Sequence, residues 1–387
     1  MFKPEIKLTH RQIEAPILRN SLERLLNSLW YSPRAYSACW GYLLSPLAWL
    51  YGCITQYKKR SALAGQKTDP PPPARVVVVG NITAGGTGKT PLLIALASAL
   101  CAEGRRVGIL SRGYGGSYIE RGGRPQWVSC DSDPDEVGDE AVLIAQSLQR
   151  DAGLDCPVVV CPDRLQAMHW LCQQRPCEIL LADDGLQHYR LPRHIELAVI
   201  DGARGLGNGK LLPAGPLRES PERLATVDAI ICNGQPHAKL ASALATVNTP
   251  RYTMALTTRG LRPINRAASD GSETLASLRQ RDCNIHAVAG IGNPARFFNT
   301  LREDLPAAKL SEHRYPDHYR YSEKDFHYSE ESHSGAGQSA IVMTTKDAVK
   351  CYRFADNIDT PIYALEVSAE IDTGLYQRIR QQLDHCQ

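Results

Sequence analysis

A glycine-rich stretch, Thr83-Ala84-Gly85-Gly86-Thr87-Gly88-Lys89-Thr90, follows the β-branched run 76–79 and precedes an apolar helical pattern over 90–101. A strand, a loop ending Gly-Lys-[Ser/Thr] and then a helix is the order a phosphate-binding P-loop requires. Backbone N–H groups of such a loop and the N-terminus of its helix hold phosphate oxygens. Lys89 is placed to reach the β- and γ-phosphates, and the Thr90 hydroxyl to ligate Mg²⁺. Thr83 stands where the usual pattern has its first glycine, and Gly85 and Gly86 still permit the tight turn. The second half of such a site is an acidic residue at the end of an apolar strand. The run 179–182 followed by Asp183-Asp184-Gly185 supplies two, one of them for Mg²⁺ through water.

The elements around these residues alternate. Short apolar runs at 76–79, 107–110, 158–160, 179–182 and 197–200 read as strands buried on both faces. Helical patterns at 90–101, 139–150 and 163–173 lie between them. The expected fold is α/β: a P-loop NTPase-type, doubly wound parallel sheet with a second, smaller α/β lobe. Strands at 230–232, 285–289, 341–344 and 361–364 and a helix near 294–302 are assigned to that second lobe. Residues 327–339 read as an exposed loop.

The first sixty residues differ from the rest. They hold nine Lys/Arg against three Glu, a net of +6 in a chain of +3, and three of the five Trp, at 30, 40 and 49. Residues 22–30 and the aromatic run 35–57 have helical character. Pro46 interrupts the second run, and basic residues flank it on both sides. That pattern suits a helix lying in the cytoplasmic leaflet better than a full span; the alternative is a helical hairpin packed on the body. Four prolines in 66–74 make a stiff linker. The expected organisation is therefore a membrane-associated segment at 1–65, a P-loop domain at 66–228 and an α/β lobe at 229–387.

The small net charge gives no sign of a nucleic-acid binder, and the twelve cysteines have no zinc-type spacing. Reduced thiols and the lack of an ordinary secretory signal are the expectation. The Gly-Gly-Thr-Gly-Lys-Thr core is also similar to the deviant P-loop of partition and septum-site ATPases. Those proteins carry a Lys just before the glycines, where this chain has Ala84.

Taken together, the motifs resemble the tetraacyldisaccharide 4′-kinase family, the lipid A 4′-kinases of Gram-negative bacteria. The resemblance is carried by 80–91, Ser111-Arg112-Gly113-Tyr114-Gly115-Gly116, Val137-Gly138-Asp139-Glu140 and Asp183-Asp184-Gly185-Leu186-Gln187-His188. Further along come the stretch 211–219, Asp317-His318-Tyr319 and Thr344-Thr345-Lys346-Asp347-Ala348. Thr83 in place of glycine is usual in that family.

The resemblance implies phosphoryl transfer from ATP to the 4′-hydroxyl of a tetraacyl glucosamine disaccharide 1-phosphate, giving lipid IVA. It implies two α/β/α lobes closing over the nucleotide, at the cytoplasmic face of the bacterial inner membrane. It also implies Asp139 as base and His318 as its partner. Arg218 is then the third cation for the transferring phosphoryl group, beside Lys89 and Mg²⁺, with Glu219 as a metal or substrate contact. Arg112 and Arg164 are left between the substrate 1-phosphate and the nucleotide, and Gln187 and His188 are expected at the same cleft. Two other classes stay open at this point: a membrane-associated ATPase switch, and a kinase or ligase for a soluble metabolite.

Overall fold

The computed structural model describes residues 26, 28–31, 40–66, 72–269, 275–279, 283–328 and 339–385. The expected start of the 22–30 helix, much of the 66–74 linker and most of the 327–339 loop lie outside the described residues.

Twelve strands form one sheet: β1 Arg75–Gly80, β2 Val107–Ser111, β3 Gln126–Val128, β4 Val158–Val160, β5 Ile179–Asp183, β6 Ile195–Asp201, β7 Ala229–Asn233, β8 Arg251–Pro263, β9 Asn284–Ala289, β10 Lys309–Arg314, β11 Ser339–Thr344 and β12 Ile362–Ile371. Their order is β10-β9-β11-β12-β8-β7-β6-β1-β5-β2-β4-β3. The P-loop half, from β7 to β3, is parallel except for β3, which runs antiparallel to β4 at the edge. β1, β2, β5, β6 and β7 are buried almost without interruption. Helices cover both faces of this half, which is why those strands read as unbroken apolar runs.

The helices Lys89–Ala102 and Asp139–Ala145 share one core with the inner face of the sheet. Arg164–Gln174 and Ala238–Ala245 pack on the other. In the second half β9, β10, β11 and β12 are mutually parallel, with helix Pro294–Asp304 on one face. The long strand β8 joins the halves: it pairs in parallel with β7 over Arg251–Met254 and antiparallel with β12 from Met254 to Pro263.

The chain divides differently from the expected boundary at 228/229. β7 begins at Ala229 yet continues the parallel sheet beside β6, in register from Leu197↔Ala229 to Asp201↔Asn233. Helix Ala238–Ala245 buries Leu240 and Leu244 in the P-loop half. The C-terminal helix Thr373–His385 also returns there, adding Leu375, Ile379 and Leu383 to the core cluster that holds Leu92 and Leu96. The chain thus leaves the first half on β8 and comes back on β12.

At the N-terminal side a helical turn over 40–43 leads into helix Ser45–Gln66. The break at Leu44 falls two residues before Pro46, whose nitrogen cannot donate to the preceding turn. This helix lies on the P-loop half. Lys210 sits over the Tyr42 ring at 3.9 Å and Lys59 over the Tyr189 ring at 5.3 Å. The Trp30 indole donates to the Pro213 carbonyl at 3.1 Å.

Candidate active site

The loop after β1 is held from three directions. The Asn81 amide donates to Gly85 O and to Thr87 Oγ1, at 3.2 and 3.3 Å. The Asn233 amide, at the end of β7, donates to Thr87 O at 3.0 Å. From the segment 211–219, Pro216 O accepts from Ala84 N at 2.7 Å, and Arg218 N donates to Ile82 O at 2.7 Å. Gly88 has φ +94°, and a Cβ there would lie 2.3 Å from the Asn233 amide, so only glycine fits between loop and strand. The helix then starts at Lys89, with Thr90 in its first turn.

β5 delivers the two acidic residues to the same end of the sheet. Asp184 has a left-handed φ of +47°. Its carboxylate accepts two hydrogen bonds from Arg218 Nη1, at 3.1 and 2.9 Å, and lies 3.4 Å from Lys89 Nζ. Burial opposes its ionisation, but Lys89 and Arg218 outweigh that and hold it well below the usual carboxylate range. Asp183 behaves in the opposite way. Burial, reinforced by Glu140 and Asp184 against Lys89 and Arg164, pushes its carboxyl up to about 7. Its Oδ1 has no hydrogen-bond partner among the described residues.

Asp139 opens helix Asp139–Ala145. It is aimed by Gly138, whose φ is +95° and whose missing Cβ leaves room for the backbone of Gly113 and Tyr114 at 2.8 Å. Two of the signature loops therefore brace each other. His318, also in the left-handed region at φ +60°, brings Nδ1 within 3.0 Å of both Asp139 oxygens. Tyr114 packs beside the imidazole, with ring centroids 4.9 Å apart. Lys346 Nζ contacts Glu140 at 2.9 Å, Asp317 at 3.0 Å and His318 Nε2 at 3.4 Å. An ammonium only donates, so Nε2 is the accepting nitrogen and Nδ1–H is directed at Asp139.

Burial alone would raise the Asp139 carboxyl, yet Lys346, the His318 hydrogen bond and Lys350 hold it well below the ordinary value. Burial alone would lower His318, yet the Asp139 hydrogen bond leads the interactions that bring it above the ordinary imidazole value. The P-loop, Asp183, Asp184, Arg218, His318 and Lys346 line one cleft of about 1420 Å³, which reaches Trp30 and Tyr51 of the N-terminal segment.

The other expected site residues divide. Arg112 is exposed at the cleft lining, and its carbonyl accepts the Tyr118 hydroxyl. Arg164 is buried and acts as a brace: its guanidinium donates to Cys161 O at 2.9 Å and Asp183 O at 3.1 Å, and its backbone N–H donates to His188 Nε2 at 3.0 Å. His188 is lowered to about 4 by burial and Arg164, so it is neutral near pH 7. Gln187 lines the cleft while bonding Asn81 O and Glu219 Oε1, at 3.0 and 2.7 Å. Glu219 departs from the sequence expectation. Its oxygens take Gln187 and the Tyr189 hydroxyl, with Arg223 Nε at 3.4 Å, and this places it behind Gln187 rather than at a metal.

Lys346, Glu140 and Asp317 stand in the matching motifs but carry no role in the sequence reading. Asp201, Asn293 and Arg296 were missed altogether. Asp201, buried at the end of β6, accepts from Asn293 Nδ2 at 3.0 Å and lies 3.3 Å from Arg296 Nη2. Arg204 donates to Gly292 O at 2.8 Å. These contacts tie the two halves together across the cleft. No spacing rule links them, because they belong to separate strand ends.

A family model described as tetraacyldisaccharide-1-P 4'-kinase matches residues 40–384. The chain belongs to that family. It is a phosphotransferase of lipid A biosynthesis, carrying out 4′-phosphorylation with ATP. A tetraacyldisaccharide 4'-kinase of Hahella chejuensis is 40% identical over 367 residues, covering 92% of this chain and 95% of that one. One from Alkalilimnicola ehrlichii is 46% identical over 309 residues, covering 80% and 83%. Among solved structures, the "apo" form of LpxK from Aquifex aeolicus in complex with ATP superposes with a TM-score of 0.67 at 26% identity. It covers 89% of this kinase and 99% of that chain. These matches remove the ATPase-switch and soluble-metabolite alternatives.

Proposed function

We propose that this kinase transfers the γ-phosphoryl group in the cleft between the P-loop and the Asp139–His318 pair, using its N-terminal helix to work at the cytoplasmic leaflet of the inner membrane. The observation that carries the chemical part is the pair itself, closed at 3.0 Å, with His318 on the wall of the cleft that the P-loop lines. In place of Asp139, the base that the resemblance implies, His318 Nε2 takes the proton of the 4′-hydroxyl as the oxygen attacks, because His318 lines the cleft while the buried Asp139 carboxylate faces Nδ1. Asp139 holds the ring through Nδ1–H and stabilises the imidazolium that forms. Lys346 sits at hydrogen-bond distance from Nε2, so the hydroxyl must displace this contact to reach the base.

Thr83, Ala84, Gly85, Gly86, Thr87 and Gly88 line the phosphates with backbone groups, and Lys89 and Arg218 supply positive charge as it accumulates on the transferring group. The residues fit Mg²⁺: Thr90 stands at the helix start and lines the same cleft as Asp183 and Asp184, and the orphaned Asp183 oxygen is a buried acceptor that a cation with its waters would satisfy. Asp183 and Asp184 would hold it, with Arg218 paired to Asp184, and the ion would supply neutralisation of phosphate charge. Arg112, exposed at the lining, is assigned to the substrate 1-phosphate. Gln187 and His188 complete the wall next to it.

The membrane part rests on a stripe. Trp40, Leu43, Leu47, Leu50, Ile54 and Tyr57 fall at helical spacing and are all exposed, while Ala48 on the opposite side is buried. Lys58, Lys59 and Arg60 follow. No described helix is long and apolar enough to cross a membrane. An exposed apolar stripe with basic neighbours suits a helix lying in the headgroup region. The substrate, a lipid A disaccharide 1-phosphate precursor, favours a surface enzyme, since extraction costs about 0.8 kcal/mol per buried CH₂. The test is incubation with γ-labelled ATP, Mg²⁺ and the disaccharide 1-phosphate, in detergent and on vesicles. Label on the lipid 4′-position, abolished in Asp139→Ala and His318→Ala, is expected; full labelling by those variants overturns the assignment.

A further inference from the structure

Behind the dyad lies a second buried charge pair that the transfer step does not use directly. Lys350 has a side chain only 7% exposed. Its Nζ is 2.8 Å from Asp347 Oδ1 and 4.0 Å from Asp139 Oδ2. It also sits 4.9 Å from the Tyr321 ring centroid. Asp347 is fully buried, and its other oxygen accepts from Gly290 N at 2.9 Å and the Thr344 hydroxyl at 2.7 Å.

Gly290 begins the loop 290–293. That loop lies directly on the P-loop: a Cβ at Gly292 would be 2.6 Å from Gly86 N. One continuous path of contacts thus runs from the Asp139 carboxylate through Lys350 and Asp347 to the phosphate-binding loop. A buried ion pair is a poor way to stabilise a core, since an apolar pair of the same volume commonly serves as well. What an apolar pair would not supply is a fixed positive charge 4.0 Å from Asp139.

We propose that Lys350 is a positioning residue for phosphoryl transfer: anchored on Asp347, its ammonium fixes the Asp139 carboxylate behind His318 and ties that pair to the loop 290–293 that lies on the P-loop. The proposal rests on the Asp139–His318 reading. Lys350 meets no reacting atom and acts through Asp139. The charged and titratable groups around Asp139 are His318, Lys346 and Lys350, with Glu140 and Asp317 beyond Lys346, and with Asp347 and Tyr321 beyond Lys350. Removing one of the cations strengthens proton binding by the dyad. The neutral imidazole then appears only at higher pH.

The experiment compares Lys350→Met, Lys350→Arg and the double variant Lys350→Met/Asp347→Asn with wild type, and runs Asp139→Ala in parallel. Each is read for melting temperature, ATP affinity, and kcat against pH, with rates normalised to sites that bind ATP. Lys350→Met strands a buried carboxylate and can fail to fold. The double variant removes both charges and leaves the Gly290 and Thr344 donors an amide oxygen to meet.

Expected for the double variant is a recovered melting temperature and unchanged ATP affinity, with kcat still at least tenfold down. Its acid limb should move to higher pH, because the dyad loses the cation 4.0 Å from Asp139. Lys350→Arg should regain part of the rate. Wild-type kcat and pH profile in the double variant would show that Lys350 only neutralises Asp347 and would overturn the proposal. Failure of both Met variants to fold would assign the lysine to the core and overturn it equally. If Asp139→Ala itself keeps wild-type kcat, the dyad reading has failed; if Asp139→Ala is dead while the Lys350 variants are normal, only the present proposal has.

Discussion

Arg218 Nη1 bonds both oxygens of Asp184, at 3.1 and 2.9 Å, while Lys89 approaches the same carboxylate at 3.4 Å. Two cations therefore share one acidic residue at the mouth of the P-loop. The arrangement fixes their positions before phosphate charge develops, which is where pre-set charge is most effective.

Arg218→Ala should lower kcat by about 10²-fold, the usual scale for removing a charge-stabilising donor, with a smaller effect on ATP affinity. Steady-state kinetics with varied ATP separates the two. An unchanged kcat with a raised ATP KM would make Arg218 a ground-state contact.

Lys89→Ala should leave the melting temperature close to that of wild type, because the Lys89 side chain is polar, lies at the cleft and supports no core cluster. Turnover should fall by about 10²-fold or more. A variant keeping more than about a tenth of normal turnover would contradict the role given to the P-loop lysine.

The pH dependence follows from the signs at the dyad. His318 is raised above its ordinary value, so its neutral form, the one able to accept a proton, is reached only above about pH 6.5. The kcat profile should therefore have an acid limb above that value. Asp139→Asn removes the anion that favours the imidazolium, and should move the limb to lower pH while reducing the plateau. For stability the signs differ. The depressed Asp139 carboxyl contributes stability that is present above its unfolded value near 3.9 and is lost on acidification. The raised His318 contributes stability present below about pH 6.5 and lost as pH rises through its folded value. Melting temperatures of wild type and His318→Ala across pH 4–9 should converge at the alkaline end.

The N-terminal helix should act by two separable forces. Leu50→Glu with Ile54→Glu breaks the exposed stripe and should reduce sedimentation with anionic vesicles several-fold, leaving ATP binding intact. High salt should weaken, without abolishing, vesicle binding of the intact protein, because Lys and Arg each add about 1 kcal/mol near an anionic leaflet while the apolar face is not screened. Undiminished pelleting after removal of residues 1–60 would move the anchor to the body.

The nucleotide half of the site was legible in the sequence because its strands are buried on both faces. β1 and β5 appear as unbroken apolar runs, and the chemistry sits at their ends, so Lys89, Thr90, Asp183 and Asp184 could be placed from neighbours alone. The acceptor half was not legible in that way. Asp139 and His318 are 179 positions apart and meet only because β8 and β12 bring the second half back against the first. β8 and β10 are only partly buried along their length and leave no continuous apolar signal, so both were missed. The expected boundary at 228/229 comes after the Gly/Pro-rich stretch 202–216. In the fold that stretch turns back to hold the P-loop through Ala84 and Pro216, and β7 stays in the first sheet half. Glu219 stands beside Arg218 in sequence, but Tyr189, Gln187 and Arg223 take its carboxylate behind the cleft wall.

The measurement that most directly tests a shared Asp139–His318 transfer unit is a double-mutant cycle on kcat, with labelled ATP and the disaccharide 1-phosphate in detergent. Asp139→Ala and His318→Ala should each reduce kcat by about 10²-fold or more, within the range for general-base loss. The double variant should be no worse than roughly the poorer single, because residues acting as one unit are strongly non-additive. Fully multiplicative losses, or a near-normal rate in either single variant, would contradict a single proton-accepting pair at this cleft.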